Sequence, residues 1–290
     1  MRRIATVVLA AATWGGIGAG AAAYGAVPTQ SPSPAATPSA SADGWPGSGS
    51  PANRCSGYVG LTFDDGPTQL TPQLLSILRF NDATATFFDV GANMQQYPGS
   101  VREEARLGEI GNHSYDHPYL DELSFTDIFN ELLGTNQITQ QLVGYAPDLF
   151  RPPYDRIDSD VTAAQYSLGM VTALWNIDSG DYDGISPAEI LRNVWSARAG
   201  DVILFHDGLR STLAALPLIL AHFKSERLCT GVLVPSATPH FAWPTESFGN
   251  VVFYAQVAPI GTPAPTVASL NLTPQQESTG VGPDAAAGGD

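Results

Sequence analysis

Two adjacent carboxylates, Asp64 and Asp65, directly follow the apolar run at residues 58–63. This run predicts a buried strand, so both acids lie where a strand ends and a loop begins. Like charges this close repel each other, and a bound divalent cation is the commonest compensation. With such a cation in place, one acid can bind the metal while the other handles a proton.

Two histidines, His113 and His117, lie four residues apart after the third predicted strand. On a single turn this spacing places both imidazoles within reach of one metal ion, although such a pair also arises by chance. Asp65 adds a third, hard ligand. Two imidazoles and one carboxylate leave coordination positions open for water and substrate, which indicates a catalytic metal site.

Arg151 and Tyr154 flank two prolines after the fourth predicted strand. The prolines hold the backbone extended and rigid, so this segment is suited to fix both neighbours. The functional interpretation is that Arg151 orients a carboxylate and that the Tyr154 N–H faces an oxyanion. The alternative is an ordinary stiffened loop with a surface arginine.

Polar loops also follow the fifth and sixth predicted strands. The first spans residues 175–182 and contains Asp178, and the second contains His206. A histidine at a strand end, polarised by an aspartate from the neighbouring strand end, has the properties of a general acid. Each loop alone is an ordinary polar segment. Five such loops, each after a different predicted strand, together indicate one functional site.

The elements that would position these loops alternate along the chain. Strands are predicted at 58–63, 83–90, 109–112, 148–151, 170–176, 201–205 and 229–234, and helices at 71–79, 98–107, 124–143, 159–168, 187–197 and 212–225. This alternation predicts an α/β fold of parallel strands with outer helices, as either a barrel or an open doubly wound sheet. A distorted, incomplete (β/α) barrel suits the strand count better, and its functional residues should follow the strands.

The composition allows one sizeable core with tails, since the 290 residues are 43% hydrophobic and only 14% charged. The formal net charge of −15 argues against nucleic-acid binding, because phosphates would be repelled. A neutral or cationic substrate is compatible with this charge.

The two ends of the chain differ from its middle. Residues 1–26 are typical of a secretory signal peptide, with an uncleaved membrane anchor as the alternative, and residues 27–53 of a flexible Pro/Ser/Ala-rich linker. We expect a catalytic domain at 54–235, an extension of uncertain role at 236–257 and a disordered tail at 258–290. Export predicts a secreted protein, free or at the cell wall, without stable membrane association after cleavage.

Two cysteines, Cys55 and Cys229, bracket every motif. In an oxidising compartment such a pair is most simply a disulfide that ties the start of a domain to its end. Two buried free thiols are the alternative.

As an ordered set, these motifs resemble those of the polysaccharide deacetylases with the NodB-homology fold, carbohydrate esterase family four. The family motifs TFDDGP, H(S/T)xxHP, RxPY and LxH match residues 62–67, 113–118, 151–154 and 204–206. The lead-in at 57–61 and the bracketing cysteines are most similar to the secreted actinobacterial acetylxylan esterases and chitooligosaccharide deacetylases. The resemblance covers residues 55–234.

The resemblance implies a residue-by-residue division of labour. A divalent metal, usually zinc and sometimes cobalt, would be held by Asp65, His113 and His117. Asp64, held by Arg151, would be the base that deprotonates metal-bound water, and His206, tuned by Asp178, would protonate the leaving group. Because no covalent acyl-enzyme is needed, Ser114 is interpreted as a loop hydrogen bonder.

Two residues depart from the family pattern: Tyr182 stands where tryptophan is usual, and Asp155 where glycine is common. Asp155 would add negative charge near the rim and favour a cationic, partly deacetylated substrate. The residues predicted to contact the sugar are Tyr182, Trp175, Tyr115 and Asp181, and exposed aromatics would support stacking on it.

The predicted activity is removal of acetyl groups from a polysaccharide or oligosaccharide by a monomeric enzyme. The acetyl group could be the amide of N-acetylglucosamine, as in chitin or peptidoglycan, or an ester, as in acetylated xylan. A catalytically inactive carbohydrate-binding module on the same fold is the alternative from another class. A metal hydrolase acting on a non-sugar amide is a third.

Overall fold

The computed structural model describes residues 55–241, 252–270 and 272. The predicted signal peptide and linker therefore lie outside the described residues. Within them, β1 to β9 span Gly57–Gly66, Ala85–Asp89, Gly108–Asn112, Leu149–Phe150, Val171–Thr172, Ile177–Asp178, Val202–His206, Leu228–Phe241 and Val252–Ala258. Helices α1 to α7 span Thr71–Phe80, Gly91–Gln96, Pro98–Glu104, Phe125–Val143, Ser159–Ser167, Pro187–Val194 and Arg210–Ser225.

The strands form one mostly parallel sheet, in the order β5-β4-β3-β2-β1-β7-β6. Every neighbouring pair in this order is parallel. The first half of β1 also pairs with β8, and β8 pairs in antiparallel fashion with β9. The sheet is nearly closed into a barrel, which confirms the predicted distorted (β/α) barrel.

The central strand β1 has two different faces, because successive side chains of a strand point to opposite sides. Val59, Leu61 and Phe63 pack in the main apolar core beneath the helices, where the Phe63 ring stacks on those of Phe87 and Phe205 at 6.0 and 5.4 Å. The opposite face presents Thr62 and Asp64, both buried. One strand therefore anchors the core and delivers a carboxylate to the interior.

Local signals in the sequence explain where several helices begin. Helix α6 starts at the predicted capping box, in which Ser186 and Glu189 cap each other's backbone N–H groups. Helix α4 starts at Ser124, whose side chain accepts a hydrogen bond from the Asp127 N–H. Helix α2 was not predicted, because it spans only six residues between β2 and α3.

The strand predicted at 170–176 is interrupted. Within it only Val171–Thr172 pairs as a strand, and the next strand is Ile177–Asp178. Between them, the carbonyls of Ala173 and Leu174 accept hydrogen bonds from the Arg151 side chain. A buried guanidinium needs such acceptors, and it takes them from this segment.

The C-terminal part of the fold corrects the predicted tail. Strand β8 runs to residue 241, and β9 covers 252–258, so the described parts of the extension at 236–257 belong to the sheet. The tail does not begin at 258: Ala258 is buried, and Val267 packs in an apolar cluster with Leu233 and Leu174. These apolar contacts offset the entropy of ordering a Pro- and Thr-rich segment.

The predicted disulfide is present. Cys55, just before β1, is bonded to Cys229 in β8, with Cα atoms 5.6 Å apart. It ties together the two strands that pair at the start of β1. None of the helices in the described ranges has the length and apolar character needed to cross a bilayer.

Candidate active site

The predicted chemical residues gather at the carboxyl ends of the parallel strands. Asp64 near the end of β1 lies in register with His206 at the end of β7. His113 directly follows β3, and Arg151 directly follows β4. Parallel strands end on the same side of a barrel, which explains why residues distant in sequence meet here.

Arg151 is fully buried and uses its whole guanidinium. One nitrogen, Nη1, donates to Asp64 Oδ1 at 2.7 Å and to Thr62 Oγ1 at 2.8 Å. Nε donates to the Ala173 carbonyl at 2.8 Å and Nη2 to the Leu174 carbonyl at 3.1 Å. The alternative of a surface arginine is therefore wrong, and Arg151 fixes one oxygen of Asp64.

Burial sets the acidity of this ion pair. It raises the pKa of Asp64, while the charge and hydrogen bond of Arg151 work in the opposite direction. Burial likewise lowers the pKa of Arg151, opposed by Asp64. The two charged groups lie 2.7 Å apart, and burial still leaves the pKa of Asp64 above its ordinary value.

Trp175, which was predicted to contact substrate, is buried beside Arg151. Its side chain is only 7% exposed, and the Arg151 guanidinium sits 5.1 Å from its ring centroid. The other ring beside the guanidinium is that of Phe88, at 4.1 Å. Trp175 therefore packs against the buried ion pair and does not form a sugar-stacking surface.

Asp65, His113 and His117 converge on one point. His117 Nε2 lies 3.2 Å from His113 Nε2 and 3.3 Å from Asp65 Oδ1, and His113 Nε2 lies 3.7 Å from the same oxygen. Ligands about 2.1 Å from a tetrahedral ion stand about 3.4 Å apart. Among the described residues, this is the group of three with metal-binding spacing, and its atoms fit one divalent metal.

The backbone of Arg151 selects the tautomer of His113. His113 Nδ1 lies 2.7 Å from the Arg151 carbonyl, which can only accept, so Nδ1 carries the proton. The lone pair on Nε2 then faces Asp65 and His117. Burial lowers the pKa of His113 to about 3, so the ring is neutral, as a metal ligand must be.

Backbone strain concentrates at this site. Of the seven described non-glycine residues with positive φ, five lie in its loops: Asp65, Ser114, His117, Tyr154 and Asp155, with φ between 56° and 67°. Such conformations persist only where surrounding contacts impose them. The Ser114 hydroxyl supplies one such contact, since it accepts a hydrogen bond from the His117 N–H at 3.0 Å, as its predicted loop role requires.

Helix α4 supports the histidine loop from below. Glu131 Oε2 accepts hydrogen bonds from the N–H groups of Tyr115 and Asp116, each at 2.9 Å. The role of Glu131 was not predicted, because the sequence of a helix does not show which distant loop a glutamate side chain contacts.

The Tyr115 ring packs against two helices. Its ring lies against Gly91 and Gly134, where an added Cβ would come within 2.8 and 3.2 Å of it. Its hydroxyl donates to Gln95 Oε1 at 3.1 Å. These contacts fix the loop against α2 and α4, and the predicted contact of half-buried Tyr115 with substrate stays a prediction.

The partner of His206 is Asp181. The Asp181 carboxylate, 1% exposed, places Oδ1 2.8 Å from His206 Nδ1, and its Oδ2 accepts from the His206 N–H and from Thr212 Oγ1. Burial alone would lower the pKa of His206, but the Asp181 hydrogen bond and the charge of Asp64 outweigh it and raise the pKa to about 9.

The prediction that Asp178 tunes His206 is wrong, and so is a substrate-binding role for buried Asp181. Asp178 instead accepts hydrogen bonds from the Gly180 N–H and from the Tyr182 hydroxyl, both at 2.8 Å. Gly180, with φ of 68°, reverses the chain and turns Asp181 inward. Gly180 was the feature of the sequence that could have indicated Asp181, and not Asp178, as the buried partner of His206.

Exposed aromatic rings border the centre on two sides. Tyr154, 50% exposed, stacks on Tyr119 at 4.2 Å and meets the His117 ring edge-on at 4.6 Å. On the other side, Tyr182, 53% exposed, meets the His206 ring edge-on at 5.2 Å. Exposed tyrosines in these positions can stack on sugar rings.

Comparison with known proteins identifies the family of this chain. The polysaccharide deacetylase family model matches residues 52–173. A solved family 4 carbohydrate esterase from Streptomyces lividans is 35% identical, with a TM-score of 0.61, over 71% of this chain and 99% of that chain. The chain belongs to the polysaccharide deacetylase family, carbohydrate esterase family four.

Two of the curated relatives are longer than this chain. A bifunctional xylanase/xylan deacetylase from Cellvibrio japonicus is 37% identical over 63% of this chain but only 28% of its own length. The peptidoglycan-N-acetylglucosamine deacetylase PgdA from Listeria monocytogenes is 33% identical over 58% of this chain and 36% of its own length. The chain thus spans about a third of these two relatives.

Proposed function

We propose that this protein hydrolyses acetyl groups from an acetylated polysaccharide or oligosaccharide. The observation that carries the proposal is that three functions lie together at the carboxyl ends of the parallel strands. These are a base held by a buried arginine, a protonated histidine and a set of three metal ligands. The names of the relatives, which include a xylan deacetylase and a peptidoglycan-N-acetylglucosamine deacetylase, support the substrate class.

The set formed by Asp65, His113 and His117 would hold the metal, and its two imidazoles and one carboxylate suit zinc, with cobalt as the second choice. A divalent metal bound there supplies Lewis-acid polarisation of the acetyl carbonyl and lowers the pKa of a water molecule.

We assign the role of base to Asp64. Its Oδ1 is occupied by Arg151, while its Oδ2 lies 3.8 Å from His113 Nε2, on the side of the metal ligands. A raised pKa strengthens a carboxylate as a proton acceptor. Asp64 takes one proton from the attacking water, which adds its oxygen to the acetyl carbon.

We assign the role of acid to His206. Its Nδ1 is held by Asp181, and a pKa of about 9 keeps the ring protonated at neutral pH. The proton on Nε2 goes to the leaving nitrogen or oxygen as its bond to the acetyl carbon breaks. The products are acetate and a free amine or hydroxyl.

The Tyr154 N–H is available for the oxyanion. Within the described part of the chain this N–H donates no hydrogen bond, and its residue has a left-handed φ of 56°. The ring of the same residue meets the His117 ring edge-on, and an unpaired amide in this loop can donate to the carbonyl oxygen as negative charge develops on it.

Both leaving groups fit this scheme, so an amide of chitin or peptidoglycan and an ester of xylan remain the two substrate types. We further infer that the protein is exported and acts outside the cell as a monomer. Support comes from the leader-like residues 1–26 and from the disulfide, since such bonds persist in oxidising compartments.

The test is acetate release from N-acetylated chitooligosaccharides and from O-acetylated xylooligosaccharides. The intact protein should release acetate from at least one, lose activity with a chelator and regain it with zinc. Asp64→Asn should lower kcat by about 10²–10⁴-fold. The exposed Asp160→Asn is the matched control and should retain activity.

Activity that survives both the chelator and Asp64→Asn would contradict the mechanism. An intact, zinc-loaded protein that binds these oligosaccharides without releasing acetate would instead support the binding-module alternative.

A further inference from the structure

The Tyr154 N–H can serve an oxyanion only while its backbone keeps an unfavourable conformation. Tyr154 has φ of 56° and ψ of 20°, and Asp155 follows it with φ of 58°. Bulky residues are outliers in this left-handed region, and such conformations persist only where surrounding contacts impose them. The two backbone hydrogen bonds that close this turn are long, both 3.2 Å between nitrogen and oxygen. Side-chain contacts are therefore needed to hold the turn.

A first side-chain contact joins Tyr154 to a separate loop. Its ring stacks on that of Tyr119, with centroids 4.2 Å apart and an angle of 27° between the planes. Tyr119 comes two residues after His117 and directly before the 3₁₀ turn Leu120–Glu122. Leu120 is fully buried in an apolar cluster, so this turn is anchored to the core. Tyr154 thus packs on a support outside its own loop.

A second set of contacts comes from Arg156, two residues after Tyr154. Its guanidinium lies 4.8 Å from the centroid of the Tyr119 ring, at the distance of a cation–π contact. Nε donates to Asp121 Oδ2 at 2.8 Å, and Nη1 donates to Glu122 Oε1 at 3.0 Å. The other Asp121 oxygen is buried without a hydrogen-bond partner in the part of the chain that the structure describes. Arg156 is therefore the charged donor on which this carboxyl depends.

Tyr119, Tyr154 and Arg156 together form a clamp across the two loops. The segment at 154–156 is fastened to the turn at 119–122 at both of its ends, by the stacked rings and by the ion pairs. The Tyr154 ring also meets the His117 ring edge-on at 4.6 Å. An oxyanion donor must keep a fixed position relative to the other reacting groups. The clamp joins the loop that carries this donor to the loop that carries His117.

We propose that Tyr119 is a positioning residue, which together with Arg156 holds the Tyr154 N–H in place for the oxyanion. The inference rests on the proposed deacetylase function and deepens it, because it assigns a role to two residues outside the reacting set. Their effect is transmitted through the Tyr154 backbone and does not require contact with the acetyl group.

The kinetic experiment compares the full, zinc-loaded chain with Tyr119→Leu, which keeps an apolar side chain but removes the ring. The substrate is whichever of the two acetylated oligosaccharides the wild type hydrolyses faster. We expect kcat to fall about 10–100-fold with little change in KM, because a displaced donor weakens binding of the transition state alone. Tyr119→Phe retains the stacked ring and should restore kcat.

Phe125→Leu is the matched control for loss of an exposed ring. Phe125 is 41% exposed and stacks on Phe129, but it lies at the start of α4 and outside the clamp. Its replacement should leave kcat unchanged. In a double-variant cycle, Arg156→Gln should also lower kcat, and its effect should not add to that of Tyr119→Leu, because both contacts restrain one backbone segment.

Amide hydrogen exchange tests the clamp independently of catalysis. The N–H groups of Asp155 and Arg156 donate the two turn hydrogen bonds, and in Tyr119→Leu they should exchange about tenfold faster than in the wild type. Unchanged exchange would overturn the clamp whatever the activity.

The kinetic outcomes are equally distinct. Unchanged kcat in Tyr119→Leu would overturn the positioning role, and so would a raised KM at unchanged kcat, which would instead indicate that Tyr119 stacks on the sugar. A zinc-loaded wild type that releases no acetate would overturn the proposed function, while the exchange measurement would still decide whether the clamp exists.

Discussion

The imidazole Nδ1 of His206 lies 2.8 Å from Oδ1 of Asp181, and the same carboxylate accepts the His206 backbone N–H. One buried acid therefore fixes both the ring and the backbone of the proposed general acid. Since Nδ1 is engaged, only Nε2 can deliver a proton toward the metal ligands.

Removal of the Asp181 charge should change the pH dependence of catalysis. The pKa of His206 is raised to about 9, and a general acid loses activity as the pH rises through its pKa. In Asp181→Asn the alkaline limb of kcat/KM should move down by about 1–3 pH units. The measurement is a full pH profile at saturating zinc. Asp178→Asn is the control, because Asp178 does not contact His206, and its alkaline limb should stay in place.

Replacement of Arg151 should weaken both folding and catalysis. Arg151→Lys retains a charge but cannot reproduce the donors that Asp64, Thr62 and two carbonyls accept. We expect a loss of about 1–3 kcal/mol in the free energy of unfolding, because buried acceptors are left without donors. We also expect kcat to fall by about 10²-fold, because Asp64 is no longer oriented. Urea denaturation and acetate release check the two effects, and wild-type values in both would contradict the assigned contacts.

The disulfide should stabilise the domain strongly. Its cysteines are 174 residues apart in sequence, so the bond removes much of the entropy of the unfolded chain. The double variant Cys55→Ser/Cys229→Ser should lose roughly 2–5 kcal/mol in the free energy of unfolding. Metal binding by the folded variant should persist, because the ligands lie at the opposite end of β1. A variant as stable as the wild type would show that β8 pairing alone holds the end of the chain.

Glu109 should destabilise the fold at high pH. Burial and then Asp148 raise its pKa to about 7, above its ordinary 4.5, so the folded state favours the protonated carboxyl. Stability is therefore lost as the pH rises from the ordinary pKa through 7. Glu109→Gln should raise the free energy of unfolding above pH 7 by roughly 1–3 kcal/mol and have no effect below about pH 4. The exposed Glu226→Gln is the control. An equal gain at acidic and alkaline pH would exclude this ionisation as the cause.

Residues whose role depends on their own strand end were predictable from the sequence. Asp64, Asp65 and His113 follow apolar runs, and the fold places all three at one end of the barrel. Their chemistry is intrinsic to the side chain, so strand position was enough to bring them together. The capping box of α6 was predictable for a similar reason, because both partners lie within one turn.

Residues whose role depends on a neighbouring element were not predictable. Asp178 and Asp181 have the same chemistry and nearly the same position, and only the turn at Gly180 decides which one faces His206. Trp175 and Tyr115 follow strands like the functional residues, yet one packs on Arg151 and the other on α2 and α4. Whether an aromatic ring is buried depends on which other elements pack against it, and the local sequence does not specify these.

The sequence by itself thus determined the adjacent acids, the two histidines and the arginine, together with the alternation of elements that makes a barrel. Tertiary structure alone decided that Arg151 holds Asp64, that its carbonyl orients His113, and that Asp181 holds His206. The physical reason is distance along the chain. Each of these contacts joins groups 25 to 87 residues apart, and only the closure of the parallel sheet brings their atoms within hydrogen-bonding range.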